Sequence, residues 1–218
     1  FLFSDHGDYA GDYGLVEKWP SGLEDVLTRV PLIIRAPGNA SGHVVEEPVE
    51  LFDITPTILE LAGIKPQHTM FARSLVPQLE GKPGDPERAA FAEGGYSRHE
   101  PHCFEGIPRR DKWVLDPRQL YYPKGKLQQD HPESVCRAVM IRTRDYKLIY
   151  RTEGVCELYD LRADPRELNN VYGKPEYAEV QRELEKRLLE WYIETSDVTP
   201  FDEDPRGFAP GIIGREFP

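Results

Sequence analysis

The sequence has 218 residues, 39% of them hydrophobic and 30% charged, with Tyr 11 and Phe 9, a folding composition and not a disordered one. That length allows one sizeable core, or one domain with a smaller companion. A net charge of -11 argues against a nucleic-acid or anionic-membrane surface, and no apolar run approaches the roughly 20 residues of a membrane helix.

The chain opens on Phe1-Leu2-Phe3, then Ser4, and breaks into Asp5-His6-Gly7-Asp8 with further glycines at Gly11 and Gly14. This reads as a buried strand ending in a polar loop. At the carboxyl end of a strand in an open α/β sheet, loop side chains project into the crevice where ligands bind. A carboxylate beside an imidazole, Asp5 and His6, is half of a metal site, and Lys18 adds a cation for an anionic substrate. The same triplet also reads as a plain turn. Because the sequence begins inside a strand-like run, with neither an initiator Met nor a signal peptide, it is expected to be a piece of a longer protein. Its localisation is therefore not legible.

Residues 23–29 read as a short helix, and residues 30–35 as a continuously apolar strand buried on both faces, with Pro31 at its start. Thr55 as N-cap, Pro56 at the first helical position and Gly63 past the end delimit a helix whose Ile58, Leu61 and Ala62 should face the sheet. Leu75 to Gly81 forms a small helical turn, and a soft boundary falls at residues 82–86. Residues 89–93 resume as a strand. Residues 99–133 form a long ordered loop carrying Arg109, Arg110, Lys112, Lys124 and Lys126, which is expected to border the pocket. His99 and His102 on it are candidate substrate contacts, or ordinary loop histidines.

Residues 137–143, 146–151 and 157–161 describe an antiparallel meander. A helix from Pro175 to about Thr195 follows, with Tyr177, Val180, Leu184, Leu188 and Trp191 on its packing face. Residues 198–218 read as an extended tail, a candidate contact for a partner subunit or homo-oligomer. The expected division is 1–86, an α/β region; 87–197, the sheet edge, long loop and C-terminal α+β subdomain; and 198–218, the tail. Cys103, Cys136 and Cys156 are odd in number and form no C-x-x-C pair; buried or free thiols are favoured over a Cys136–Cys156 bridge. Asn39-Ala40-Ser41 fits a glycosylation acceptor, a triplet that arises often by chance.

Taken together, Ser4-Asp5-His6-Gly7-Asp8, Gly11-Asp12-Tyr13-Gly14-Leu15, Lys18, the apolar run at 30–38, the 51–63 helix, and the segments 145–150 and 157–170 resemble the C-terminal half of a sulfatase. The order and spacing of these segments are far more specific than any one motif. The resemblance places the chain in the alkaline-phosphatase-like superfamily, implies that residues 1–86 are the C-terminal part of a catalytic α/β domain, and implies an α/β fold: part of a mixed sheet with flanking helices, plus a small C-terminal antiparallel sheet packed on a helix. It implies sulfuric ester hydrolysis with a divalent metal, calcium first and manganese second, beside a formylglycine that carries a covalent sulfate intermediate. Asp5 and His6 match the second pair of metal ligands, and Lys18 matches the lysine that binds the sulfate near the leaving oxygen. His6 stands where many relatives have Asn, and Tyr13 where many have His. The formylglycine motif C/S-x-P/A-x-R fails at all three cysteines. The activity is thus expected of a longer parent on a small sulfated substrate, with this piece inactive alone. Phosphoryl or phosphonate ester hydrolysis, or a non-catalytic family member, are the alternatives.

Overall fold

The computed structural model describes residues 1–39 and 42–198. The expected tail, apart from Val198, and most of the Asn39 triplet lie outside the described residues.

The core is a four-stranded antiparallel sheet in the order β3 (Ala90–Gly94), β4 (Ala138–Arg142), β5 (Tyr146–Arg151), β6 (Glu157–Asp160). Its register sets Ile141 against Leu148 and Leu148 against Leu158. Strand side chains alternate between faces, so these residues and Val139 form one apolar face. Helix α5 (Ala178–Thr195) covers it with Leu184 and Leu188, and the expected stripe of Tyr177, Val180 and Trp191 packs alongside. The Trp191 ring stacks on Phe91 at 4.7 Å between centroids. The other face carries Ala138, Met140, Ile149 and Tyr159, packed with Leu23 and Leu161. Burial on both faces makes this sheet the anchor of the fold, since each fully buried Leu or Ile contributes about 1.5–3 kcal/mol.

Charge completes the second face. Lys147 of β5 is fully buried, and its Nζ lies 2.6 Å from Asp25 and 2.7 Å from Glu167. Asp25 opens the short helix α1 (Asp25–Thr28) and also accepts from Arg142 Nε at 3.0 Å. Its backbone N–H donates to Glu167 at 2.7 Å. Burial alone would raise the Asp25 carboxyl, but the Lys147 charge and the Arg142 and Lys147 hydrogen bonds outweigh it and hold it below the ordinary 3.8. A carboxyl with a depressed folded-state pKa stabilises above its unfolded value, and that contribution is lost as pH falls through the folded value. In urea titrations, the stability lost in Asp25→Asn is therefore expected to be full at pH 7 and to shrink as pH falls below 3.8. A gap that does not change with pH would count against this account.

Three expectations are corrected. Strands β1 (Leu2–Phe3) and β2 (Leu32–Ile33) pair antiparallel over two residues each. They are not buried: Leu2 is 58% and Ile33 63% exposed. Continuous apolarity reports the capacity to be covered, and among the described residues no second layer covers this ladder. Helix α2 (Ile54–Leu61) buries Ile54, Pro56 and Thr57, whereas Ile58, Leu61 and Ala62 face outward. Its orientation is set by a polar knot. Buried Asp53 pairs with Arg88 at 2.6 Å and accepts the Arg73 N–H at 2.7 Å, and Glu50 pairs with the same guanidinium at 3.1 Å. Asp53, and not Thr55, holds the N-cap position, although its side chain makes no cap hydrogen bond there.

The third correction concerns residues 99–133, which are not loop throughout. Helix α4 (Tyr122–Asp130) lies within them, with Pro123 in its first turn, where the missing N–H costs least. Gly125 in α4 lets Gly106 and Trp113 pass close: an added Cβ would meet Trp113 at 2.7 Å and Gly106 at 2.9 Å. Helix propensity alone predicts that Gly125→Ala stabilises by about 1 kcal/mol. The expected result is the opposite sign, a loss of about 1–3 kcal/mol from overpacking, read by thermal unfolding.

The turn (Val76–Leu79), here α3, and the short helix α1 fall where expected. All three cysteines are free, and Cys136 Sγ donates to the Glu153 carbonyl at 2.8 Å.

Candidate active site

The loop after β1 is threaded against α1. Gly7 donates its N–H to the Leu27 carbonyl at 2.8 Å, and a Cβ at Gly7 would sit 1.9 Å from the Val26 oxygen. Glycine is required here by close approach, not by a left-handed turn. The left-handed positions come later, at Ala10, Gly11, Tyr13, Gly14 and Glu17. Buried Tyr9 donates to Glu24 at 2.7 Å. Tyr13 donates to the Arg166 carbonyl at 2.8 Å, tying the loop to the segment that carries Glu167.

Ahead of Gly7, Asp5 and His6 are exposed and held by local bonds. The Ser4 hydroxyl donates to the His6 carbonyl at 2.8 Å, and the His6 N–H donates to Asp5 Oδ1 at 3.0 Å. That N–H, and then the His6 ring, hold the Asp5 carboxyl below its ordinary value. His6 Nδ1 lies 2.7 Å from the Gly7 carbonyl, which can only accept, so the proton is assigned to Nδ1. The Nε2 lone pair is left to receive the Lys18 ammonium at 3.1 Å, with Asp5 Oδ2 at 3.6 Å.

These groups suit one divalent cation. A carboxylate oxygen and an imidazole nitrogen of fixed tautomer stand side by side, and a backbone carbonyl orients the ring from behind. They would supply two donors; among the described residues no group of three or more His, Cys, Asp or Glu that could hold a metal forms. Asp5, His6 and Lys18 line a cavity of about 490 Å³, together with Trp19, Glu50 and Arg142.

His99 and His102 are exposed at and before the turn (Pro101–Cys103) and do not line this cavity. Arg110 serves the loop itself, donating to the His102 and Phe104 carbonyls. Of the basic residues in that stretch, Lys124 reaches the Lys18 loop, by an ion pair to Glu17 at 2.7 Å. Neither this contact nor the Asp25–Lys147–Glu167 cluster is legible in the sequence, because Glu17 lies 107 residues from Lys124 and Asp25 lies 122 residues from Lys147.

Residues 1–64 match the family model described as Sulfatase, and residues 109–194 match N-sulphoglucosamine sulphohydrolase, C-terminal. The chain belongs to the sulfatase family. Among similar proteins, the multifunctional alkaline phosphatase superfamily protein PehA of Trinickia caryophylli is 30% identical over 94% of this chain and 37% of its own length. An N-acetylglucosamine-6-O-sulfatase of Bacteroides thetaiotaomicron is 32% identical over 92% of this chain and 31% of its own. Among solved structures, a phosphonate monoester hydrolase from Silicibacter pomeroyi superposes with a TM-score of 0.67, at 30% identity over 89% of this chain and 34% of its own. A 2-O GAG sulfatase superposes at 0.66, with 25% identity over 94% of this chain and 38% of its own. This sulfatase-family chain thus spans about a third of the length of those relatives. Strands β4 to β6 and all but the last residue of α5 fall within the N-sulphoglucosamine sulphohydrolase match, β3 lies before it, and Asp5, His6 and Lys18 fall within the Sulfatase match.

Proposed function

We propose that this chain is the C-terminal part of a sulfatase that hydrolyses sulfate monoesters on a small sulfated molecule. The observation that carries the reading is the placement of His6 Nε2 between the Asp5 carboxylate and the Lys18 ammonium at the lip of one cavity. Asp5 and His6 would hold a divalent metal, calcium first and manganese second given one nitrogen donor. When bound, such an ion neutralises a sulfuryl oxygen's charge as the ester bond breaks. The remaining ligands and a formylglycine nucleophile would come from sequence beyond these 218 residues, and the chain by itself would be inactive.

Lys18 has the role this chain can supply unaided. Its ammonium is free to leave His6 Nε2 for an anion, stabilising the charge that develops on the leaving oxygen. In the full-length protein, Lys18→Ala is expected to lower kcat for an aryl sulfate by about 10²–10³-fold with thermal stability unchanged. Metal-dependent release of sulfate is the primary assay.

The second reading is phosphonate or phosphoryl ester hydrolysis, favoured by the phosphonate monoester hydrolase neighbours. An aryl phosphonate monoester run beside the aryl sulfate separates the two. A kcat/KM that favours the phosphonate would replace the sulfatase reading.

A further inference from the structure

Lys124 is a buried lysine 106 residues from Lys18 in sequence, and its ammonium lies between two carboxylates. Its Nζ is 2.7 Å from Glu17 Oε2 and 3.1 Å from Glu105 Oε2, and the residue is 8% exposed. The Glu105 side is preorganised. The Glu105 N–H donates to Gln128 Oε1 at 2.8 Å, Gln128 Nε2 donates back to the Glu105 carboxylate at 3.0 Å, and Gln129 Nε2 donates to the Glu105 carbonyl at 2.7 Å. Helix α4 thereby presents Lys124 as a fixed cation.

The Glu17 side is strained. Its backbone holds φ 65°, a left-handed conformation that costs a non-glycine residue about 1–2 kcal/mol. Its N–H donates to Asp8 Oδ1 at 3.2 Å, and its carbonyl accepts the Tyr9 N–H at 2.9 Å. The next residue is Lys18, whose direction follows from the Glu17 backbone and whose ammonium meets His6 Nε2. The chain of contacts thus runs from α4 through Lys124 and Glu17 to Lys18. Taking away the Lys124 charge leaves the Glu17 and Glu105 carboxylates facing each other without the cation they share, which drives Glu17 out of its strained conformation.

We infer that Lys124 is a positioning residue: through Glu17 it fixes the backbone that aims Lys18 at the anion. The inference rests on the reading of Lys18 given above, and a double-mutant cycle separates the two. In the full-length protein, Lys18→Ala, Lys124→Met and the double variant are compared for aryl sulfate kcat/KM, for inhibition by inorganic sulfate, and for hydrogen exchange of residues 9–18.

Lys124→Met is expected to lower kcat/KM by about 10–100-fold, the range for removing a group that orients an active-site residue. It should weaken sulfate inhibition and speed exchange in the 9–18 segment. In the Lys18→Ala background it should add less than about twofold, since positioning has nothing left to act on. Lys124→Arg, which keeps the charge, should retain most activity. If Lys124→Met fails to fold, Glu17→Gln cuts the same link from its half-buried side and should show the same Lys18-dependent loss. Equal losses in both backgrounds, or unchanged exchange and kcat/KM, would overturn the inference while leaving Lys18 in place. A neutral Lys18→Ala would overturn the functional reading and the inference together.

Discussion

His6→Ala in the full-length protein is expected to weaken divalent-metal binding and to lower kcat/KM on the order of 10³-fold. Among the described residues the imidazole is one of the two donors proposed for the ion, and its ring is oriented by the Nδ1–H bond to the Gly7 carbonyl. A metal contributes several kcal/mol of charge stabilisation, and each 1.36 kcal/mol is a factor of ten in rate. Asp5→Ala should do the same, because its carboxylate supplies the only negative charge of the pair. The check is metal content of the purified variants alongside the rate, with added calcium or manganese. Full activity in a variant, at metal concentrations that just saturate the wild type, would show that the side chain removed in it is not a ligand. His6→Asn is the informative intermediate, exchanging nitrogen for an amide oxygen. It should shift preference from manganese towards calcium while keeping part of the activity.

The largest effect on folding is expected from Lys147→Met. Removing one partner of a buried ion cluster leaves uncompensated charge in the interior, at about 3–5 kcal/mol. Here the stranded groups are Asp25 and Glu167. Arg142 still serves Asp25, so Glu167 bears most of the penalty. Burial already raises the Glu167 carboxyl against the lowering pull of Lys147, so without Lys147 it should take up a proton more readily still. The companion variant Lys147→Met/Glu167→Gln should therefore recover part of the loss in urea denaturation. A single variant within about 1 kcal/mol of wild type would show that the cluster contributes little.

The sequence was most informative where burial is two-sided and contacts are local. The short apolar runs of β4 and β5, the short turn between them and the α5 stripe each pointed to one element, and packing agreed. Asp5, His6 and Lys18 could also be picked out, because their order around the glycines is carried by a short stretch of chain. Apolarity misled where nothing among the described residues covers it, at β1, β2 and the outer face of α2. Helix α4 was hidden by Pro123 and Gly125, two residues that usually mark a break; here one occupies the first turn and the other makes room for Trp113 and Gly106. The charged interior was not legible at all. Lys124, Lys147 and Arg88 look like surface residues until the fold brings their carboxylates to them.

The long sequence separation across the Lys147 cluster also bears on the order in which the molecule assembles. Strands β4 to β6 are joined by short connections, so their pairing closes small loops early and at low entropic cost. The Lys147–Asp25 pair closes 122 residues and depends on α1 arriving against a sheet already in place. A contact of that kind forms late, so its loss should appear mainly as faster unfolding, with refolding of the sheet and α5 little changed. The Asp5–His6 loop, hung on α1 through the Gly7–Leu27 bond, would then be among the last parts to set and the first to come loose.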